Sequence, residues 1–176
     1  MIRRLVIGLN AAGLDYAFTG ALAASYYGVP RTTMDVDIMV KVPRDGLTKL
    51  AAALRGAGIE ADGGRIESAL KSGFRIVTLR DARSPFNVDI ILSRGRLSKR
   101  AGTIQGLPTF YQAPEDLVLA KLRMIRATIP KERALKDEDD VRAILRFTKV
   151  DMGAIRRRAR RDKTLRILRA IMAQKP

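Results

Sequence analysis

Asp35 and Asp37 stand two residues apart in a run, 33–41, whose positions Met34, Val36, Ile38 and Val40 alternate with Asp35, Asp37 and Met39. Strand side chains alternate with period 2, so both carboxylates leave one face, about 7 Å apart along the backbone. A third, Asp89, lies in the run FNVDIIL, where Val88, Ile90 and Leu92 share one face and Asp89 takes the other. If that strand lies beside 33–41, three carboxylates converge. They repel one another unless cations intervene, and two octahedral Mg²⁺ ions (or Mn²⁺) carrying substrate phosphates would satisfy both the charge and the demand for oxygen ligands. Upstream, 16–19 reads as a strand that leads into Gly20 and opens a helix at Ala21, a turn whose backbone N–H groups can hold a phosphate. Each feature also has an ordinary counterpart. Asp-X-Asp on a solvated edge strand resists aggregation, and a strand-to-helix turn needs glycine whatever it binds.

Composition removes the competing chemistries. The 176 residues include no Cys and no His, so disulfides, thiolate nucleophiles, Cys-based zinc sites and a histidine general base are all excluded, leaving carboxylates with hard cations. Lys and Arg outnumber Asp and Glu by 34 to 18, a net +16 that favours polyanionic partners such as RNA, DNA or nucleotides. Half of that surplus lies in 147–176, where ten Lys or Arg face only Asp151 and Asp162. An Arg-rich surface with little Asn, Gln or Cys also suits a thermophilic source. No apolar run approaches the roughly 18–20 residues of a bilayer span, and the N-terminus lacks a long apolar signal core. A soluble, cytoplasmic protein with no membrane partner is the expectation.

The elements that must position these residues follow from periodicity. Helical spacing covers 2–13, with Leu5, Leu9 and Ala12 or Ile2, Val6 and Ile7 on a face and Gly13 as a stop. Further helices are expected at 21–27, 45–57 and 66–72, and a short strand at 59–62. Runs 74–79 and 87–92, separated by RDARSP, read as a hairpin or an adjacent antiparallel pair. From Pro114 the pattern is helical: 114–128, 131–147 and a basic stretch 152–173 of one helix or two. The fold class expected is α/β (α+β), a mixed sheet with flanking helices over 1–113 followed by a helical bundle, 114–176, packed on it.

The run FTGALAASYYGVPRTTMDVDIMV resembles the signature of the nucleotidyltransferase superfamily with the DNA polymerase β-like palm. It is most similar to the branch of AbiEii-type and MenT-type toxin nucleotidyltransferases, matching at Gly20, Arg31, Thr33, Asp35 and Asp37, with Asp89 where the family has its third carboxylate. Ala21 departs from the Ser often found after the glycine. APEDLVLAKLRMIRAT and KDEDDVRAIL are similar to the family's Lys-bearing helix and its later Asp-X-X-Asp segment. The resemblance therefore implies catalytic Asp35, Asp37, Asp89, Lys121 and Asp137, metal ligation by the first three, and nucleotide contacts from Gly20, Ala21, Arg31, Thr33 and Lys121. Asp137 would orient Lys121 or a neighbour. From residue types alone, Lys121 is equally a helix-face lysine, and Asp137 to Asp140 an acidic helix surface.

The implied reaction carries an NMP from an NTP, such as ATP, to an acceptor hydroxyl and releases pyrophosphate. Arg31 and Lys121 would neutralise phosphate charge and Asp89 would serve as local base. Arg156, Arg157, Arg158, Arg160 and Arg161 are the candidate nucleic-acid contacts, since phosphates ask only for dense positive charge. Few aromatics lie beside them, so base stacking is unsupported. The resemblance makes RNA, and tRNA in particular, the leading acceptor and implies a possible antitoxin partner. A palm-fold nucleic-acid-binding or regulatory protein without turnover is the alternative, and a metal-dependent nuclease a third reading that leaves Gly20 and Arg31 without a role.

Overall fold

Period-2 alternation becomes a sheet. The computed structural model describes residues 1–42, 46–71, 75–93 and 95–174, and among these six strands pair: β1 (Asp15–Phe18), β2 (Asp35–Lys41), β3 (Ile76–Arg80), β4 (Asn87–Ser93), β5 (Lys99–Ile104) and β6 (Leu107–Gln112). Their order is β3-β4-β2-β1-β6-β5. β2 runs parallel to β4 and β1 to β6, while β1–β2, β3–β4 and β5–β6 are antiparallel. The whole sheet belongs to the first of two units, Met1–Leu22 with Thr32–Gln112.

One face of this sheet is apolar. Val36, Ile38 and Val40 of β2, Val88, Ile90 and Leu92 of β4, and Val77 and Leu79 of β3 are all buried, each contributing about 1.5–3 kcal/mol by leaving water. Helix α1 (Ile2–Ala11) buries Leu5, Val6 and Leu9 and runs so close to α3 (Gly46–Gly56) that a Cβ on Gly8 would stand 3.0 Å from the Ala53 carbonyl oxygen. Helix α4 (Gly63–Lys71) packs by β3. A half-buried ion pair ties the N-terminus to the turn after β3. Arg4 Nη2 donates to Asp81 at 2.9 Å, Arg4 Nε to the Ala57 carbonyl at 2.8 Å, and Ser84 to the other Asp81 oxygen at 2.5 Å.

The second unit comprises Ala23–Arg31 and Ala113–Pro176. Helix α2 (Gly20–Tyr27) thus gives its first turn to one unit and the remainder to the other. Helix α5 (Pro114–Ala127) starts with proline in its first turn and Glu115 and Asp116 beside the positive end of its dipole. A 3₁₀ turn (Lys131–Ala134) leads into α6 (Leu135–Phe147), followed by α7 (Met152–Arg161) and α8 (Leu165–Ala173). The Asp151 side chain caps α7 by accepting from Ala154 N at 2.8 Å. Among the described residues no helix is long and apolar enough to cross a membrane.

Several expectations change. Met34 is 55% exposed, because the Thr33 hydroxyl bonds to both the N–H and the carbonyl of Asp35 and the strand starts only there. Ile7 is likewise exposed, and Leu5, Val6 and Leu9 carry the buried stripe of α1. Residues 59–62 form no strand, only an isolated bridge between Ile59 and Asp81. The basic stretch is two helices, broken where Lys163 turns to φ 56° and the N–H groups of Asp162, Lys163 and Thr164 fold back onto α7 carbonyls. The expected helix start at Asp45, helix end at Ser72 and strand start at Phe74 lie outside the described residues.

Candidate active site

The face of the sheet opposite the apolar one is ordered by register into rows that cross three strands. Thr78 of β3 pairs with Asp89 of β4, which pairs with Asp37 of β2; one row along, Arg80, Asn87 and Asp35 are aligned in the same way. Parallel pairing sets neighbouring strands about 4.8 Å apart, so the carboxylates of Asp37 and Asp89 leave the sheet side by side. Asp35 sits one row along, exposed, with Asn87 Nδ2 3.4 Å from its Oδ1.

Gly20 closes on this pair from the end of β1. The Thr19 N–H donates to the Asp37 carbonyl at 2.9 Å, which brings the strand-to-helix turn directly against β2. Gly20 adopts φ +57°, and a Cβ there would lie 2.0 Å from Asp37 Oδ2 and 2.7 Å from its Cγ. Only glycine lets the backbone meet this carboxylate. Ala21 is buried at the start of α2, and the Thr33 hydroxyl is engaged locally with Asp35.

Among the described residues no group of three or more acidic side chains is gathered as a ready-made cation cage. The adjacent pair Asp37 and Asp89, with Asp35 one row away, still supplies hard oxygen donors, and Mg²⁺ characteristically takes one or two carboxylates together with substrate phosphates. The donor chemistry of this face fits a divalent cation of that kind.

The remaining residues singled out from the sequence lie in the second unit, where Arg31, Lys121 and Asp137 form an ionic network around the buried Asp140. Lys121 of α5 is 5% exposed; its ammonium lies 2.8 Å from Asp137 Oδ1 and 2.7 Å from Asp140 Oδ2, both carboxylates on α6. Arg31 grips Asp140 with both sides of its fork, Nε to Oδ1 at 3.0 Å and Nη2 to Oδ2 at 2.9 Å. Burial alone would raise the Asp140 pKa, but the hydrogen bonds from Arg31 and Lys121 and the two positive charges outweigh it and hold the carboxyl below its ordinary value. On α7, Arg156, Arg157, Arg160 and Arg161 are exposed. Arg158 is instead paired with Asp116 of α5.

Two residues of these arrangements, Thr78 and Asn87, have no place among the sequence-based expectations, and Asp140 has one only as the second Asp of the Asp-X-X-Asp segment and as part of an acidic helix surface. A signal for Asp140 exists, since it directly precedes Val141 and lies four residues before Ile144, both buried. Thr78 lies between buried Val77 and Leu79, which assigns it to the aspartate face once β3 is placed beside β4.

No protein-family model matches the sequence, and no curated protein matches it. Solved structures do match, in fold. The solution structure of the antibiotic-resistance factor ANT(2'')-Ia superposes with a TM-score of 0.66 at 15% identity, covering 98% of this chain and 96% of that one. A crystal structure of ANT(2'')-Ia in complex with adenylyl-2''-tobramycin gives 0.62 at 15% identity over 98% and 97%. An antigenic nucleotidyltransferase-like protein from Paracoccidioides brasiliensis gives 0.59 at 15% over 97% and 89%. The chain has the nucleotidyltransferase fold, a mixed sheet with flanking helices.

Proposed function

We propose that this protein is a divalent-metal-dependent nucleotidyltransferase that moves an NMP from an NTP to an acceptor hydroxyl, and the observation that carries the reading is the Gly20–Asp37–Asp89 juxtaposition. A turn that can hold phosphate lies against one carboxylate whose in-register neighbour is a second. Asp35, Asp37 and Asp89 would hold the cation. When bound, Mg²⁺ or Mn²⁺ would supply charge neutralisation for the triphosphate and acidity for the acceptor hydroxyl. Backbone N–H groups after Gly20 orient the phosphates. Asp89 accepts the acceptor's proton as its oxygen attacks the α-phosphorus, the bond to the β-phosphate oxygen breaks, and pyrophosphate departs. Arg31 and Lys121 are proposed phosphate contacts. With Asp140 and Asp137 already beside them, a phosphate must compete for their charge, so their share in binding is smaller than that of two free cations.

RNA, tRNA in particular, is the proposed acceptor. Supporting it are the net +16 and the exposed arginines of α7. The pattern Gly20, Arg31, Thr33, Asp35, Asp37 supports placement in the AbiEii/MenT-type toxin branch, with an antitoxin as partner and the cytoplasm as location. An aminoglycoside acceptor, suggested by the adenylyl-tobramycin bound in one fold neighbour, is the second reading; its amino groups would meet a strongly positive chain, whereas a polyanion is attracted.

Incubation with each α-labelled NTP, Mg²⁺ or Mn²⁺, and either total RNA, protein or aminoglycoside tests the proposal. Label should enter the RNA with release of pyrophosphate, and Asp37→Ala should abolish transfer while leaving the melting temperature unchanged. Full activity in Asp37→Ala sinks the assignment. Nucleotide binding without product in any pool favours a palm that binds without turnover, and RNA cleavage without pyrophosphate favours a nuclease.

A further inference from the structure

The mechanism asks Asp89 to serve as ligand and base, but an aspartate on a sheet face has two free torsions and a like charge for a neighbour. Asp37 is its in-register partner on β2, and two carboxylates at strand spacing push each other into whichever rotamers separate them. On the other side, β3 sets Thr78 in register with Asp89, and the Thr78 hydroxyl donates to Asp89 Oδ1 at 2.6 Å. That length is typical of a hydroxyl on an ionised carboxylate, a bond about twice as strong as one between neutral groups. Thr78 is β-branched and lies on a strand, so its own χ1 is restricted and the donor is held where the carboxylate needs it. Among the described residues Asp89 Oδ2 has no hydrogen-bond donor; with Oδ1 engaged, it is the oxygen left for chemistry.

We infer that Thr78 is a positioning residue of the active site: by holding Oδ1 towards β3 and away from Asp37, it fixes the rotamer in which Asp89 acts. The inference rests on the proposed transferase reading. Nothing in the fold requires a hydroxyl here. Val77 and Leu79 supply the burial of β3 while Thr78 is exposed, so removing the hydroxyl leaves the core untouched.

The test compares wild type, Thr78→Val, Thr78→Ser, Asp89→Asn and the double variant Thr78→Val/Asp89→Asn by NMP transfer, by Mn²⁺ affinity from electron paramagnetic resonance, and by thermal melting. Valine keeps the shape and strand preference but not the donor. Thr78→Val should lower kcat about 10- to 100-fold with little change in KM for the NTP, the effect of one charge-assisted hydrogen bond. It should weaken Mn²⁺ binding several-fold, and Thr78→Ser should recover most of both. In the Asp89→Asn background the valine substitution should cost nothing further, since the two residues act as one unit. Melting temperatures should agree across the Thr78 series. If Asp89→Asn loses transfer and Mn²⁺ affinity while Thr78→Val matches wild type, or if the two losses simply multiply, Thr78 does not act through Asp89 and the inference fails alone. If Asp89→Asn itself matches wild type in Mn²⁺ binding and transfer, the reading of the site fails and takes the inference with it.

Discussion

Gly20→Ala is the sharpest single perturbation of this site, because the same molecule contains its control. Two penalties act at position 20. The left-handed φ of +57° costs an L side chain about 1–2 kcal/mol. The new methyl would also stand 2.0 Å from Asp37 Oδ2, closer than the 3.0 Å that real Cβ contacts essentially never undercut, so methyl and carboxylate must part by at least about 1 Å. At Gly13 only the first penalty operates, since φ is +62° and nothing lies within 4 Å of a Cβ. Gly13→Ala should therefore lose about 1–2 kcal/mol, or about 2–8 °C in melting temperature for a chain of this size, with full NMP transfer. Gly20→Ala should lose at least as much stability and, because a misplacement of 1 Å in a catalytic group costs about 10²-fold, about two orders of magnitude in kcat/KM. Mn²⁺ titration should report the same displacement independently of turnover. A Gly20→Ala variant that transfers NMP and binds Mn²⁺ like wild type, or a Gly13→Ala variant that is equally inactive, would rule out the steric role of position 20.

Two further outcomes follow from the second unit. Asp140→Asn leaves buried Lys121 and half-exposed Arg31 with one fewer negative partner and should destabilise the protein by about 3 kcal/mol in urea unfolding, the bottom of the range for breaking a buried pair because Asp137 still holds Lys121 and Arg31 is partly solvated. Because the Asp140 pKa is lowered in the fold from 3.8, its contribution is present above about pH 4 and is lost as pH falls through the depressed value; Asp140→Asn should flatten that acid limb, and an unchanged acid profile would count against the network. On α7, replacing exposed Arg156, Arg157, Arg160 and Arg161 one at a time by Ala should each reduce the salt dependence of RNA binding, by about 0.7 in the logarithmic slope for each phosphate no longer neutralised. Arg158→Ala should instead cost stability through Asp116 and leave the slope alone. Equal slopes for all five variants would remove α7 as the RNA-binding element.

Why Asp37 reads plainly in the sequence and Asp140 only faintly is a matter of the distance over which each is specified. Asp35 and Asp37 are placed by period-2 alternation within nine residues, and Val36, Ile38 and Val40 are buried as that alternation requires. Asp89 needed one further fact, the β2–β4 pairing, which no local pattern contains; the parallel register supplies it. The β5–β6 hairpin carries only a weak local signal. Its Gln105-Gly106 turn has positive φ at both residues, the conformation of a two-residue hairpin loop, but Gln is an unusual occupant there and Pro108 interrupts the strand pattern. For Asp140 the local composition misleads, and only the spacing to Val141 and Ile144 points inward. KDEDD has the composition of a solvated helix face, and composition places a carboxylate in water unless a cation 109 residues away in sequence is known to be waiting for it. The network that buries Asp140 is a property of two helices and the segment carrying Arg31, and each cation that makes burial tolerable looks, within its own segment, like a surface charge. Thr78 falls between these cases. Its face is fixed by buried Val77 and Leu79, yet its meaning depends on the residue across the strand, so a sheet-face hydroxyl becomes informative only once register sets it opposite a carboxylate.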